Sequence, residues 1–376
     1  MKTTILIVFV LDSKGVRVVE VNAIKKKCIN VKVKTTSLTI LLTTVFLIAA
    51  LSGMQLIKEA SAISYTQYTG TLDGADWALQ IPDPWNDMLV MMCHGYNPNI
   101  VNPLGPLTAP PIPDILNQGF AVAASNFGVA GFCIAEGVNS TYQLTMHIID
   151  NYNVSGRVFL VGMSMGGGIA LLLGEKYPEI YSGVLDLFGT KDLKEEYTRR
   201  SNWASLTDEE LSDELLALGI PVPPPGFTDL ASYRPWLDVS AYELETGGTP
   251  ATVPQAYEDR SPTYHANIEI PVITIHGTGD PVVLLVDSVM YQDAVAAAGS
   301  SSLYRLYTVA DAGHGVNITA DERINRFNEL VEWSNYLIPE GFGIEVVLLL
   351  SVSAALVGFS LSRKRPKLKK HLLSNP

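Results

Sequence analysis

The chain has 376 residues, 47% of them apolar, which is enough for one large core with insertions and excludes a disordered protein. Its net charge of −12 is unevenly distributed, because residues 63–340 hold 11 basic and 34 acidic residues, a net charge of −23. A segment this acidic repels nucleic acid, and nucleic acid is therefore excluded as a partner of residues 63–340.

The N-terminal segment has the composition of a secretory signal. Lysines are frequent over residues 25–34, an apolar run occupies residues 38–54, and Ala60, Ser61 and Ala62 follow. A basic region, an apolar core and a small-residue site in this order predict a signal peptide within residues 1–62 that is cleaved after Ala62. The apolar run is also nearly long enough to span a bilayer, so a retained signal anchor is the alternative.

The C-terminal segment, residues 339–376, has the composition of a membrane anchor. Residues 344–361 form an apolar run of spanning length, and six basic residues follow within 363–370. Because positive charge stays on the cytoplasmic side, this order predicts that residues 63–338 lie outside the cell and are tethered to its membrane. Residues 339–342 resemble the start of the C-terminal sorting tails of archaeal surface proteins. A core helix of a soluble domain is the alternative for the apolar run.

From residue 63 onward, short apolar runs alternate with helical stretches. A hairpin is predicted first, closed around Asp73-Gly74, because this pair favours a tight turn. Further strands are predicted at 87–96, 120–128, 157–162, 182–189, 271–280 and 302–309. Helices are predicted near 113–118, 139–152 and 320–337, together with one that begins at residue 165 and one that ends at about residue 299. Continuous apolar strands separated by helices predict an α/β fold with a mostly parallel sheet covered on both faces.

Residues 191–260 interrupt this alternation. The segment is more polar, contains several prolines and carries charged clusters. Within it, Thr207 and Glu210 have the spacing of a capping box at the start of an amphipathic helix. The segment is therefore predicted to be an insertion between two strands. Its Trp203 and Trp236 are candidate substrate-binding residues, although packing inside the insertion is the favoured use of these side chains.

One serine stands in a glycine-rich turn between a predicted strand and a predicted helix. The turn reads Gly162-Met163-Ser164-Met165-Gly166, a G-x-S-x-G pattern in the place where a nucleophile elbow requires it. A phosphate-binding loop is excluded because no lysine follows the glycines, and the spacing of a dinucleotide-binding turn is absent. Ser164 is therefore the candidate nucleophile.

A serine nucleophile needs a base, and the base needs an orienting carboxylate. Asp280 and His314 each come directly after an apolar strand downstream of Ser164, and the ends of parallel strands are where open α/β sheets place their sites. The order Ser, Asp, His is the order that an elbow-type hydrolase uses. Asp186, which ends the strand after the elbow, is an alternative acid.

An oxyanion hole needs two backbone N–H groups that point at the developing charge. The amide of Met165, directly after the candidate nucleophile, is the first candidate. The second is the amide of Tyr96 in the loop after the strand 87–96, with Gly95 forming the turn. His94 in the same loop is predicted to be structural.

The remaining residues indicate no cofactor. No cluster of His, Cys, Asp and Glu has the spacing of a metal site, and the predicted chemistry needs none. Cys93 and Cys133 remain if the signal is cleaved; two buried thiols are favoured, and a disulfide, which an extracellular location permits, is the alternative.

The elbow, the His-Gly loop and the two strand ends resemble the α/β-hydrolase superfamily over nearly all of residues 64–338. The resemblance implies the α/β-hydrolase fold, with Ser164 as nucleophile, His314 as base, Asp280 as acid and residues 191–260 as a cap over the pocket. The hairpin before the His-Gly strand further resembles secreted esterase-like hydrolases.

These features predict an extracytoplasmic serine hydrolase that cleaves small-molecule carboxylic esters and is held at the membrane by its C-terminal helix. Two alternatives are a serine peptidase of the prolyl-oligopeptidase type and a surface binding module on the same scaffold without turnover. The sequence leaves the acyl group and the oligomeric state undetermined.

Overall fold

A computed structural model describes residues 6–12, 15–21 and 63–337. The chain divides into two units at residues 62 and 63. The described part of the first unit is an antiparallel hairpin, β1 (Leu6–Asp12) and β2 (Gly15–Val21), in a segment for which the sequence analysis predicted no structure.

The larger unit is built on an eight-stranded sheet. Its strands are β3 (Ser64–Leu72), β4 (Ala75–Asp83), β5 (Leu89–Cys93), β6 (Ala121–Ser125), β7 (Val158–Met163), β8 (Tyr181–Leu187), β9 (Val272–Gly277) and β10 (Tyr304–Val309). The strand order is β10-β9-β8-β7-β5-β6-β4-β3. Neighbours from β10 to β6 are parallel, and β4 and β3 are added antiparallel. The predicted mostly parallel sheet and the hairpin closed at Asp73-Gly74 are confirmed.

The helices of this unit are α1 (Ile112–Asn117), α2 (Ile134–Asn151), α3 (Met165–Lys176), α4 (Leu193–Ala204), α5 (Asp208–Ala217), α6 (Leu230–Tyr233), α7 (Ser240–Thr246), α8 (Pro254–Glu258), α9 (Leu285–Ala297) and α10 (Ala320–Leu337). Five of them, α1, α2, α3, α9 and α10, cover the two faces of the sheet. Helices α2, α3 and α9 contribute to one buried cluster, and α1 and α10 to the other.

The alternation of side chains along each strand explains why two cores form. In β5, Leu89, Met91 and Cys93 belong to the first cluster, whereas Val90 and Met92 belong to the second. Successive residues of a strand point to opposite faces, so a strand that is apolar at every position supplies both. This is why β5 is buried along its whole length.

Helix α2 begins earlier than predicted. The predicted start was residue 139, whereas the helix begins at Ile134 after Cys133, which makes no side-chain capping hydrogen bond. The first turn is held by packing and by Glu245 of the insertion, since Ile134 is fully buried, Gly137 lies against Ile169, and Glu245 accepts from the Ala135 amide at 3.0 Å. The sequence therefore offered no capping residue to mark this start.

Helices α4 to α8 lie between β8 and β9, within the predicted insertion, and we call residues 191–260 the cap. Its capping box is present, because Thr207 accepts from the Glu210 amide and Glu210 accepts from the Thr207 amide. The cap has a small core of its own, formed by Trp203, Leu211, Leu215, Ile220, Tyr233 and Leu237 together with Leu284.

The predicted signal segment (38–54 and 60–62) and the predicted anchor (339–376) lie outside the described residues. Within residues 6–12, 15–21 and 63–337, none of the helices combines the length and the apolar composition needed to cross a membrane.

Candidate active site

Ser164 stands on a strained turn between β7 and α3. Its φ of 56° and ψ of −124° place a non-glycine residue in a region that L-amino acids rarely adopt. The flanking glycines make this turn possible. A Cβ on Gly162 would overlap the Gly166 carbonyl, and a Cβ on Gly166 would overlap the carbonyl of Cys93.

Three side chains form a continuous chain of hydrogen bonds at the ends of the strands. His314 Nε2 lies 2.8 Å from Ser164 Oγ, and His314 Nδ1 lies 2.8 Å from Asp280 Oδ2. An ionised carboxylate only accepts hydrogen bonds, so Nδ1 carries the proton and Nε2 is left to accept from the serine hydroxyl. The structure thus brings together the three residues that the sequence analysis singled out.

Asp280 is held by more than His314. Its Oδ1 accepts from the amides of Val282 at 2.9 Å and Val283 at 3.1 Å, and His276 Nε2 lies 3.5 Å from Oδ2. Burial by itself would raise the pKa of Asp280. The charge of His314 and the hydrogen bonds of His276 and His314 outweigh burial and hold this pKa well below the usual range. Asp280 is therefore a carboxylate, as an orienting acid has to be.

The ring of His314 rests on Phe188, in the loop after β8. The two rings meet edge to face with centroids 4.9 Å apart. Phe188 itself has a φ of 46°, and a Cβ on Gly315 would lie 2.9 Å from its ring. No motif in the sequence pointed to Phe188. Its contact with His314 depends on a left-handed backbone conformation, which the local sequence does not predict for a phenylalanine.

The candidate oxyanion residues lie on both sides of Ser164. Met165 is the first residue of α3, where a helix leaves its N–H groups without internal partners. Gly95 approaches from the loop after β5, since a Cβ built on it would lie 3.2 Å from Ser164 Cβ. Tyr96 lines the same cavity as Ser164.

His94 has a structural place in this loop. Its Nδ1 lies 2.8 Å from the Gly95 carbonyl, and its ring stacks on Phe127 at 4.0 Å. Burial lowers the pKa of His94, so it packs as a neutral ring.

A cavity of about 790 Å³ opens beside Ser164, under the cap. Trp236, one of the two candidate substrate-binding residues, lines it. Trp203 does not line it, and its packing inside the cap is the use that the sequence favoured. This side chain is only 6% exposed and packs in the core of the cap with Leu211 and Tyr233, because its helix turns that face inward.

Two charged groups near the site, one buried and one partly buried, were not predicted. Lys191 is completely buried and its Nζ lies 2.6 Å from Asp186 Oδ2, while Thr274 also donates to that carboxylate. Because Asp186 is hydrogen-bonded to these groups and His314 Nδ1 is hydrogen-bonded to Asp280, Asp186 is not the acid that orients His314. Arg200 donates from the cap to the carbonyls of Trp236 and Val282. Neither residue belongs to a motif.

The rest of the described chain adds two observations. A larger cavity of about 990 Å³ lies beside α2, α3 and α9, and none of Ser164, Asp280 and His314 lines it. Within residues 6–12, 15–21 and 63–337, no three His, Cys, Asp or Glu side chains group as metal ligands would, and Cys93 and Cys133 are buried free thiols.

Comparison with known families gives one match. Residues 222–339 match the prolyl oligopeptidase family. This segment holds Asp280 and His314 but not Ser164, and it is less than half of the chain. No protein of curated function matches the sequence significantly.

Solved structures show the same fold at low identity. An acylaminoacyl peptidase of Pyrococcus horikoshii has a TM-score of 0.51 and 12% identity, over 93% of this chain and 52% of that one. A puromycin-hydrolyzing peptidase of Mycobacterium tuberculosis has a TM-score of 0.50 and 16% identity, over 89% and 46%. An esterase of Pyrococcus furiosus covers 73% of this chain and 92% of its own, with a TM-score of 0.49 and 17% identity. The chain thus spans about half the length of the two peptidases.

The parallel sheet, its covering helices and the cap define the α/β-hydrolase fold, as predicted. Residues 222–339 match the prolyl oligopeptidase family, and the fold is the one that the solved hydrolase structures share.

Proposed function

We propose that the chain hydrolyses carboxylic esters, with Ser164 as nucleophile, His314 as general base and Asp280 as the carboxylate that orients it. The single observation that carries this proposal is the hydrogen-bonded series from Ser164 Oγ to His314 to Asp280, with both links at 2.8 Å. Nucleophile and base within hydrogen-bond reach, and a third group on the base, are the requirements for this chemistry.

In the first half of the reaction, Ser164 Oγ attacks the ester carbonyl carbon while His314 Nε2 takes its proton. The amides of Met165 and Tyr96 donate to the resulting oxyanion, a contribution of several kcal/mol in comparable sites, about 3–4 per donor. The C–O bond to the alcohol then breaks, and His314 returns the proton to the leaving oxygen. The product is an alcohol and an acyl group on Ser164.

In the second half, water attacks the acyl carbonyl and gives its proton to His314 Nε2. Collapse of this second intermediate breaks the bond to Ser164 Oγ, which recovers the proton from His314. The acid leaves and the free enzyme is restored. Asp280, whose pKa is held low, accepts from Nδ1 throughout and stabilises the imidazolium in both halves.

We also propose that residues 63–338 act outside the cell, tethered by the segment 339–376 to the membrane. The support for this location is the order of basic and apolar runs at both ends of the sequence. N-terminal sequencing of the protein purified from membranes tests it. Ile63 as the first residue supports export with cleavage. A terminus upstream of residue 38, on a protein that is found in the cytoplasmic fraction and not in the membranes, overturns the proposed location.

Ester hydrolysis is tested with p-nitrophenyl acetate and the purified full-length chain, beside the Ser164→Ala variant. The proposal expects turnover by the wild type and a loss of at least about a thousandfold in kcat for the variant, the scale seen when triad serines are removed. Turnover that survives the substitution contradicts the assignment of Ser164.

A serine peptidase is the second candidate function, and the match of residues 222–339 to the prolyl oligopeptidase family favours it. The same nucleophile, base and oxyanion donors serve an amide, with His314 protonating a leaving amine in place of an alcohol. Peptidyl p-nitroanilides measured beside the esters separate the two. Anilide turnover with kcat/KM above that of the esters assigns the chain to the peptidases.

A surface binding module without turnover is the remaining alternative. It requires that neither substrate set reacts and that Ser164 is not labelled by a fluorophosphonate.

A further inference from the structure

The cavity beside Ser164 has walls that are mostly apolar and aromatic. Tyr96, Pro98 and Phe132 line it from the body of the domain, and Trp236, Tyr242 and Leu244 line it from the cap. Cavities of this kind, with few polar groups, bind the apolar part of a ligand.

The charged side chains in this wall are already engaged within the protein. In the cavity lining drawn from residues 63–337, these are Arg200 and Asp238. Arg200 donates to the carbonyls of Trp236 and Val282, and Asp238 accepts from the amide and hydroxyl of Ser240 at 3.0 and 2.8 Å. The arrangement therefore favours an uncharged occupant over an ionic one.

The mouth of the cavity exposes large apolar side chains to water. Leu244 is 86% exposed, and Trp236 and Tyr96 are each 42% exposed. Single exposed apolar residues are ordinary on protein surfaces, but these three converge on one cavity next to a candidate nucleophile. An apolar ligand that covers them removes this surface from water, which is favourable.

The position of His314 decides which part of an ester the cavity holds. The leaving oxygen has to lie beside His314 Nε2 to receive its proton. Among residues 63–337 the cavity is lined by Ser164 and by Tyr96, on the oxyanion side, but not by His314 or Phe188. This lining favours a cavity that extends from the acyl side of the carbonyl, while Val282 and Val283 of the loop after Asp280 also contribute to its wall.

We propose that this cavity binds an apolar acyl chain, and that Trp236 and Leu244 of the cap determine its preferred length. The proposal rests on the ester hydrolysis proposed above and adds its substrate class. Each methylene buried in an apolar site raises kcat/KM by at most about fourfold. The cavity of about 790 Å³ has room for many methylene groups, because even a whole water molecule takes only about 30 Å³ of the liquid.

The test is a series of p-nitrophenyl esters from acetate to dodecanoate, hydrolysed by the full-length chain. We expect kcat/KM to rise roughly two- to fourfold for each added methylene from acetate to at least hexanoate, and then to level off. A second series of alkyl acetates lengthens the alcohol in place of the acyl group. A value that is flat or falls from acetate onward, or a steeper rise in the alkyl acetate series, overturns the proposal.

Two matched leucine variants locate the effect in the cavity wall. Leu244→Ser is expected to lower the octanoate-to-acetate ratio of kcat/KM by about three- to tenfold, because it places a hydroxyl where the chain packs. Leu216→Ser is the control, since Leu216 is also an exposed cap leucine (58%) and does not line this cavity. The control is expected to keep both the wild-type ratio and the wild-type activity. Equal ratios in the two variants contradict the assignment of Leu244.

Failure of this proposal is distinguishable from failure of the proposed function. Acetate turnover that depends on Ser164, with no gain from a longer acyl chain, leaves the hydrolase and removes the acyl-chain site. Absence of all ester turnover, with no fluorophosphonate label on Ser164, removes both.

Discussion

Gly166 occupies the first turn of α3, beside the carbonyl of Cys93 at the end of β5. A Cβ at this position would overlap that backbone carbonyl, which cannot move without shifting the strand. The close approach of helix and strand is what aims the Ser164 hydroxyl at His314. Glycine is thus required at position 166 because a larger residue would collide with the Cys93 carbonyl, and not because of its φ angle.

Gly166→Ala is therefore expected to lower the free energy of unfolding by about 3 kcal/mol or more, the upper range for overpacking. Alanine in a helix would otherwise stabilise by about 1 kcal/mol. Urea denaturation of the purified variant measures the effect. Gly137→Ala in α2 is the control, because its Cβ meets the flexible end of Ile169, and its change is expected to stay within about 1 kcal/mol. Equal costs for the two variants contradict this account.

Glu175, near the end of α3, is a buried carboxyl group that is expected to make the free energy of unfolding depend on pH. Its Oε1 accepts from Tyr291 at 2.7 Å, and Oε2 is buried without a partner within residues 63–337. Burial raises the pKa of Glu175 well above that of an ordinary glutamate. The folded protein therefore keeps this proton at pH values where the unfolded chain, with a pKa of about 4.3, has lost it.

Because the unfolded state binds fewer protons above that pH, wild-type stability falls as pH rises from about 4.3 toward the raised pKa. Glu175→Gln removes this titration, so its stability relative to wild type is expected to increase by up to about 1.4 kcal/mol per pH unit in that window. Unfolding titrations at pH 4, 6 and 8 measure the difference. Glu269→Gln, at an exposed position, is the matched control, and a difference for Glu175→Gln that is independent of pH would refute the assignment.

At the scale of elements, Arg200 on α4 connects the cap to the loop that carries the acid. It donates to the Trp236 carbonyl at 2.7 Å and to the Val282 carbonyl at 2.9 Å, and its guanidinium lies 5.3 Å from the centre of the Tyr242 ring. The Val282 amide in turn donates to Asp280. One side chain thus fixes the cap against the backbone that positions the acid.

Arg200→Ala is expected to lower the free energy of unfolding by about 2–4 kcal/mol, since two hydrogen bonds to a charged group are lost. It is also expected to lower kcat for p-nitrophenyl acetate, because the loop around Asp280 loses a support. Arg234→Ala is the control on the same cap. It loses an exposed pair with Asp208, worth less than about 1 kcal/mol, and one hydrogen bond to the Leu206 carbonyl; because both partners lie within the cap, kcat is expected to stay at the wild-type value. Denaturation and initial-rate measurements on both variants check this. An Arg200→Ala protein with wild-type kcat would show that the contact is without effect on the site.

The sequence predicted the elements that local patterns specify. The hairpin at Asp73-Gly74, the strand before Ser164 and the helix after it follow from turn residues, apolar runs and glycines that are close together in the chain. The start of α2 did not follow, because it depends on packing between segments far apart in sequence. Lys191 and Arg200 were missed for the same reason, since neither the ion pair of Lys191 with Asp186 nor the hydrogen bonds of Arg200 to two carbonyls leave a periodic pattern.

At the scale of the whole molecule, the site is assembled by the order of the strands. Ser164 follows β7, Asp280 follows β9 and His314 follows β10, and parallel strands β7 to β10 present their C-terminal ends at one edge of the sheet. Residues 150 positions apart therefore meet at 2.8 Å. This is why the candidate triad was predictable from three strand ends. Of the cavity walls, Trp236 and Tyr96 were named from the sequence, whereas Phe132 and Leu244 were not.

The segment that matches the prolyl oligopeptidase family contains only part of the candidate site. The match covers residues 222–339, whereas the candidate nucleophile and the oxyanion residues come from the first half of the domain. The proposed chemistry requires both halves to act together. The most direct question is thus whether Ser164 itself becomes the reactive atom.

That question is answered by treating the full-length chain with a fluorophosphonate probe and locating the modified residue by peptide mass spectrometry. The account predicts one label, on the peptide that contains Ser164, and its complete absence from Ser164→Ala and near absence from His314→Gln, since the serine is then without its base. A label on another residue, or labelling that persists in Ser164→Ala, would contradict the account.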